Sequence, residues 1–235
     1  MKFETPLIHG TLIRRYKRFL ADVRLDDGTE VIAHCANTGS MKTCAEPGWR
    51  VLLSPANNPK RKLKWTWEIV FAGTNGHAIL INTARPNRIV HEAIAQGRIK
   101  ELSGYDTITS EVKYGEGSRI DLLLTAPEQP QCFVEVKNVT MLKEPGCVTF
   151  PDSVSTRATK HMNELALQVR QGHRAVVFFL VSRMGASEMT PADIIDPRYG
   201  EALRQAVACG VEALAYCAEI SEQEILVGQR IPIRL

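Results

Sequence analysis

No stretch of this sequence approaches the run of apolar residues needed to cross a bilayer, and the start, MKFETPLIHG, does not lead from charge into an apolar segment. Neither a spanning helix nor a secretory leader is expected, and cytoplasmic residence follows as the expectation. Cysteine motifs are missing as well. Cys35, Cys44, Cys132, Cys147, Cys209 and Cys217 are scattered with no CxxC pair, and several sit in apolar runs where a thiol behaves as a small hydrophobe. That pattern indicates neither a zinc site nor a disulfide scaffold. Internal repeats, low-complexity tracts and a long flexible linker are also lacking, which argues against a repeat array.

What is present is a chain of 235 residues with 44% hydrophobic content, enough for one full core or two small ones. The net charge of +3 is unevenly divided: residues 1–84 hold 12 Lys and Arg against 7 Asp and Glu, the remainder 17 against 19. The positive excess lies in the front third, as expected if that part meets phosphate; a solvated basic face gives the same count.

Up to Asn82 the pattern is short alternating runs broken by turn residues. HGTLIRR, KRFLADVRL, EVIAHC, RVLLS, WTWEIVFA and AILIN read as strands, with hairpin turns at Asp26–Gly28 and Asn37–Gly39. Five or six strands in that length suit a small closed barrel, with the oligonucleotide-binding (OB) type the natural choice, although other small barrels fit equally well. Residues 1–82 are therefore assigned to an OB-like nucleic-acid-binding barrel and 83–235 to an α/β domain. In the latter, Pro86-Asn87 opens a helix running to Gly97, and the strands TSEVKYG, RIDLLLTA and CFVEVKNVT follow. Pro151-Asp152 starts a helix with the stripe Ala158, Met162, Leu165, Ala166 and Val169, stopped by Gly172. The strand RAVVFFLV, a helix capped by Asp196-Pro197, and the strand VEALAYCAEI complete it. Strand, helix, strand at this spacing means parallel crossovers, so the second domain is expected to hold a mixed sheet, antiparallel first and parallel afterwards.

Three charges interrupt its apolar strands: Asp121 in RIDLLL, and Glu135 and Lys137 in FVEVK. Pairing 121 with 135 centres a hairpin on Glu128, between Pro127 and Pro130, and sets the two carboxylates side by side with Lys137 on the same face. Two desolvated carboxylates need a positive neighbour, and a divalent cation meets that need. Mg²⁺ takes carboxylate oxygens octahedrally and keeps waters, so two acids plus a strand carbonyl leave positions for a phosphate oxygen and a nucleophilic water, which Lys137 could orient. The other reading is that Asp121 pairs locally while Glu135 and Lys137 form an i, i+2 pair on a solvated face.

RID followed by VEVK resembles the PD-(D/E)xK nuclease pattern, with Ile120 standing where that pattern has proline. The whole chain resembles the sugar fermentation stimulation protein A family, through RYKRF at Arg15–Phe19, NTGSM at Asn37–Met41, SEVKYG at Ser110–Gly115, SRID at Ser118–Asp121, VEVKNVT around Glu135, FPDSVSTR at Phe150–Arg157, and Lys160-His161. The resemblance implies an OB-like first domain, a nuclease-like second domain, sequence-nonspecific DNA binding and a regulatory link to maltose metabolism. Position by position it implies Asp121, Glu135 and Lys137 as the nuclease core, with Mg²⁺ or Mn²⁺ on the two acids and Glu92 on the preceding helix as a further acid.

Two segments of the first domain suit nucleic acid. Lys60, Arg61, Lys62 and Lys64 run into Trp65 and Trp67, which share a strand face: cations for phosphates, indoles as stacking platforms or else as barrel core. Arg14, Arg15, Tyr16, Lys17 and Arg18 repeat the mixture, and alternation puts Arg14, Tyr16 and Arg18 on one side. NTGSM closes a hairpin or cradles a phosphate on its amides, with the hairpin favoured. His161, one turn beyond Arg157, is expected to make a local bond on the helix surface, although it could face the acids.

Overall fold

The computed structural model describes residues 1–235 except 57, 59, 74, 75 and 116. Six strands open the chain: β1 (Ile8–Tyr16), β2 (Leu20–Leu25), β3 (Glu30–His34), β4 (Arg50–Pro55), β5 (Trp65–Ala72) and β6 (His77–Leu80). They form one sheet in the order β3-β2-β1-β4-β5-β6, and a parallel pairing of β3 with β5 closes the first five into a barrel. Alternation fills it: Leu12, Val23, Leu53, Trp67 and Val70 are buried together inside. Gly10 on β1 permits the close approach of β2, because a Cβ there would meet Val23 Cγ1 at 2.6 Å and Arg24 O at 2.9 Å. The Asp26–Gly28 turn joins β2 to β3 as expected, with Gly28 at φ 88 and Thr29 N donating to Asp27 Oδ1.

The Asn37–Gly39 hairpin is not formed. β3 pairs with β2 and β5 rather than with β4, so residues 35–49 are a long connection folded over the barrel end. Its phosphate-cradle reading fails too, since Gly39 N donates to Asn37 Oδ1 and Ser40 N to Asp152 Oδ2, leaving neither amide for an anion.

The second unit runs α1 (Pro86–Ala95), β7 (Thr107–Tyr114), β8 (Ser118–Ala126), β9 (Gln129–Val139), β10 (Met141–Glu144), β11 (Cys147–Phe150), α2 (Thr156–Arg170), β12 (Arg174–Val181), β13 (Glu188–Pro191), α3 (Pro197–Ala208), β14 (Glu212–Ile220) and β15 (Ile225–Ile231). Its main sheet has the order β15-β14-β12-β9-β8-β7. β7, β8 and β9 pair antiparallel, while β9, β12 and β14 are parallel, the mixed sheet that the spacing predicts. One face packs against α1 through Ile89, Val90 and Ala93, the other against α2 and α3 through Met162, Leu165 and Leu203. Asp196 caps α3 through Tyr199 N at 3.1 Å, with Pro197 in the first turn.

Helix α2 starts later than Pro151-Asp152 suggests. Ser155 is its N-cap and accepts from Ala158 N at 3.1 Å, while Asp152 is engaged by Ser40 across the chain. β10, β11 and β13 make a small separate sheet, and β15 adds an antiparallel edge; sequence reading found none of these four.

The first residues depart from the division at 82: Met1 N donates to Ile225 O at 2.7 Å and Phe3 N to Gln223 O, so the N-terminus is tied to the second unit. A buried carboxylate holds the two units together. Glu68 of β5 is fully buried and accepts from Ser54 Oγ at 2.7 Å, Asn82 Nδ2 at 3.0 Å and the Arg85 guanidinium at 2.6 and 3.1 Å. Arg85 immediately precedes α1, so the latch sets where that helix begins.

Candidate active site

The β8–β9 hairpin places the acids. Leu122 pairs with Val134 and Leu124 with Cys132, the register centred on residue 128 that the spacing predicts. The ladder stops at Leu122, and beyond it Asp121 Oδ2 accepts from Val136 N at 2.7 Å, so a side chain takes over where the strands part. Asn87, in the first turn of α1, donates to the other oxygen of Asp121 at 2.8 Å.

Glu135 is 3% exposed. Its Oε1 accepts from Lys137 Nζ at 2.7 Å and from His161 Nδ1 of α2, while its Oε2 is buried with no partner among the described residues. His161 is 4% exposed, and Arg157 Nε donates to its other ring nitrogen at 3.4 Å. One tautomer serves both contacts, with Nδ1 carrying the hydrogen and Nε2 accepting. The expectation of a surface histidine is thereby corrected: α2 lies across β9, and the helical period that buries Ala158, Met162 and Leu165 turns position 161 inward too.

Burial, then the charge of Glu135, pushes the Asp121 carboxyl up to about 6. Burial acts on Glu135 the same way, but the His161 hydrogen bond and the Lys137 ammonium outweigh it and hold Glu135 below the ordinary carboxylate range. Two neighbouring acids are thus driven apart in proton affinity. The buried Tyr114 hydroxyl, also without a partner among the described residues, is pushed up by burial and by the charges of Glu135, Glu164 and Asp121. Glu164, one turn beyond Lys160 on α2, accepts from Ser118 Oγ at 2.9 Å.

Among the described residues, no group of three or more His, Cys, Asp or Glu side chains is disposed to hold a metal ion. A divalent cation nevertheless fits the Asp121 and Glu135 pair. The Glu135 Oε2 is a buried carboxylate oxygen with no partner among the described residues, and the Asp121 carboxyl is close enough to be raised by the Glu135 charge.

Glu92 does not join this site. It pairs with the N-terminal ammonium of Met1 at 3.0 Å and with Arg88 at 2.8 Å, five residues along α1 from Asn87 and therefore on a different helical face. Asn87 is the partner of the acids that sequence reasoning missed, and His161 the one that it allowed for without favouring. For Asn87 no sequence signal existed; His161 lay in the buried stripe of α2.

The basic segments divide. Trp67 is wholly buried, its Nε1 donating to Ile69 O at 3.0 Å, so it is barrel core and offers no stacking face. Trp65 is half-buried and packs against the same core; Lys60, Lys62 and Lys64 are exposed beside it, and Arg61 donates to Thr66 Oγ1 at 3.1 Å. Arg14 lies 5.0 Å over the Tyr16 ring and donates to Asp22 at 2.7 Å. Arg18 is not on their side. The β1–β2 turn takes Lys17 to φ 47 and Arg18 to φ 66, which swings Arg18 to the Thr38 carbonyl at 3.2 Å. Arg15 works beside it, donating to the Arg18, Asn37 and Gly39 carbonyls, so these two arginines position the 37–39 loop. Lys17 is exposed.

A closed OB barrel latched to a mixed α/β sheet that carries Asp121, Glu135 and Lys137 on an antiparallel hairpin defines the class: an OB barrel joined to an α/β unit. The family model described as the SfsA N-terminal OB domain matches residues 13–81, and that of the sugar fermentation stimulation protein RE domain matches residues 84–224. A sugar fermentation stimulation protein homolog from Geobacter sulfurreducens is 56% identical over 228 residues, 97% of this chain and 96% of that protein. Its counterpart from Paramagnetospirillum magneticum is 53% identical over 100% of this chain and 98% of its own length. The solved structure of Pyrococcus furiosus SfsA, described as a complex with Ca²⁺, matches with TM-score 0.88 at 27% identity, covering 100% of this chain and 98% of that one. The chain belongs to the sugar fermentation stimulation protein family.

Proposed function

We propose that this chain is a sequence-nonspecific DNA-binding protein of the cytoplasm whose second domain hydrolyses phosphodiester bonds with Mg²⁺ or Mn²⁺. The observation that carries the reading is the half-buried Asp121 beside the buried Glu135, with Lys137 at 2.7 Å from Glu135 and one Glu135 oxygen without a partner among the described residues. The Ca²⁺ described for the Pyrococcus furiosus relative supports it, since Ca²⁺ and Mg²⁺ both take carboxylate oxygens. Bound between Asp121 and Glu135, a divalent ion would supply charge for the phosphoryl oxygens and a lowered pKa for water.

The chain's own groups do the remaining work. Asn87 and the Val136 amide hold both oxygens of Asp121 in place, and His161 orients Glu135. Lys137 is within reach of a water entering beside Glu135 and can stabilise the charge that develops on an attacked phosphate. Lys60, Lys62 and Lys64 on the barrel grip phosphates without reading sequence, which predicts affinity falling by about 10³ or more between 50 and 200 mM salt if six or more phosphates are neutralised.

Incubating plasmid and single-stranded DNA with the protein, with and without Mg²⁺ or Mn²⁺, tests the reading. Cleavage that depends on the ion and disappears in Asp121→Ala and Glu135→Ala is expected; ion-dependent cleavage that survives both changes refutes the assignment. The second reading is a non-catalytic DNA-binding regulator linked to sugar (maltose) metabolism. It is favoured by the lack of a three-ligand metal group among the described residues. DNA binding without cleavage under any ion would select it.

A further inference from the structure

A polar pocket of about 360 Å³ lies where the two units meet, walled by the 37–39 loop and Arg18 on one side and by Asn138, Thr140 and Asp152 on the other. Three stretches of chain run from its wall to the acid site. Asn138 directly follows Lys137 on β9, with its side chain on the opposite face of the strand; Thr83, also in the wall, is four residues before Asn87; Ser153 is four residues before Arg157, the residue that holds His161. The pocket also lies at the carboxyl end of the parallel strand β9, the end of the strands at which open α/β sheets take ligands.

The lining is built and incompletely used. Asn37 is 6% exposed, and its Oδ1 is committed to Gly39 N, but its NH₂ donates to no group among the described residues. Asn138 Oδ1 accepts from Ser182 Oγ at 2.5 Å and leaves its NH₂ in the same condition. Arg18 is exposed and spends one nitrogen on Thr38 O. Three donors without full partners ask for a ligand rich in acceptor oxygens. Among the described residues Asp152 is engaged through Oδ2, by Ser40, which leaves Oδ1 to accept from an N–H or O–H of that same ligand. Phe150 and Met141 add apolar surface to the wall.

We propose that this pocket seats one unstacked nucleotide of a single strand. The inference rests on the DNA-binding reading above and narrows it to a substrate class. Carbonyl oxygens of a base or oxygens of its phosphate meet the amide and guanidinium donors, a base or sugar donor meets Asp152, and the base lies on Phe150 and Met141. The size admits one nucleotide and no duplex, because bases inside a duplex are stacked and must leave the stack to enter a closed seat, a cost smallest for single strands.

Ser153 and Thr83 are exposed in the wall, so a large side chain at either plugs the pocket; at Thr83 the change also removes a hydrogen bond from its Oγ1 to Ala36 O at 2.9 Å. The test measures binding of a short oligothymidylate and of a blunt duplex of equal length to full-length protein in EDTA, for wild type, Ser153→Trp and Thr83→Trp, with urea midpoints confirming folding. The expected result is a loss of about tenfold or more for the single strand in each folded variant, with duplex affinity unchanged. Single-strand affinity unchanged in both variants, or an equal loss for duplex and single strand, overturns the pocket assignment while leaving DNA binding intact. Wild-type protein that binds neither probe sinks the DNA-binding reading, and this inference with it.

Discussion

Replacing Asp121 with Asn is expected to stabilise the metal-free protein at neutral pH and to do almost nothing near pH 4. The folded-state pKa of about 6 stands above the ordinary 3.8, a rise of roughly two units, which at about 1.4 kcal/mol each makes roughly 3 kcal/mol. A raised carboxyl pKa means that the folded state binds the proton more tightly than the unfolded state. Stability is therefore intact below about pH 4 and is lost as pH climbs through 6, when a buried charge with too little compensation is forced on the fold. Asn carries no charge to force. It also keeps both hydrogen bonds, its oxygen accepting from Val136 N and its NH₂ meeting an Asn87 carboxamide turned to present oxygen.

Urea denaturation in EDTA of wild type and Asp121→Asn across this range should show curves that nearly meet near pH 4 and separate by roughly 3 kcal/mol above pH 7. Added Mg²⁺ should raise the wild-type midpoint at neutral pH and leave the variant unmoved, since only the folded wild type offers the ion its paired carboxylates. A variant that is less stable than wild type by the same amount at every pH refutes the reasoning, because it makes Asp121 a structural hydrogen-bonder rather than a charge held against its preference.

Glu68→Ala should cost about 3–5 kcal/mol in denaturant unfolding, because it leaves the half-buried Arg85 beside unpaired Ser54 and Asn82. Trp67→Ala should cost about 3–5 kcal/mol by emptying the barrel core, and protein that remains folded should keep its affinity for DNA, measured by fluorescence anisotropy. Glu92→Gln should leave ion-dependent cleavage unchanged and shift stability by no more than about 1 kcal/mol, since its partners are Arg88 and the N-terminus rather than the acids; a loss of cleavage without a loss of folding would return Glu92 to the site.

Much of the fold was legible because local rules sufficed. Alternation in WTWEIVFA and RAVVFFLV, the Asp-Pro start of α3 and the stop at Gly172 each depend on neighbours a few residues away. The hairpin of β8 and β9 was legible for the same reason, since the short turn at Pro127-Glu128 sets its register, although Pro130, read as part of the turn, falls inside β9. What failed had long-range causes. Asn37–Gly39 has the composition of a hairpin turn, yet it is held by Arg15 and by Asp152 more than a hundred residues on. Asp152 looks like a helix start and is instead spent on that loop. β10, β11 and β13 are four residues each, too short for a period to show, and exist through pairing with one another.

Backbone period and turn chemistry act over a few residues, and by themselves they made most of the strands, the helices and the hairpin that carries Asp121, Glu135 and Lys137 legible in the sequence. The tertiary structure alone decided that Trp67 is core, that Glu92 answers the N-terminus, that Asn87 and His161 attend the acids, and that Asn37, Arg18 and Asn138 wall one pocket. Those outcomes depend on which distant surface each side chain meets, and that is set only when barrel, helices and sheet are packed together.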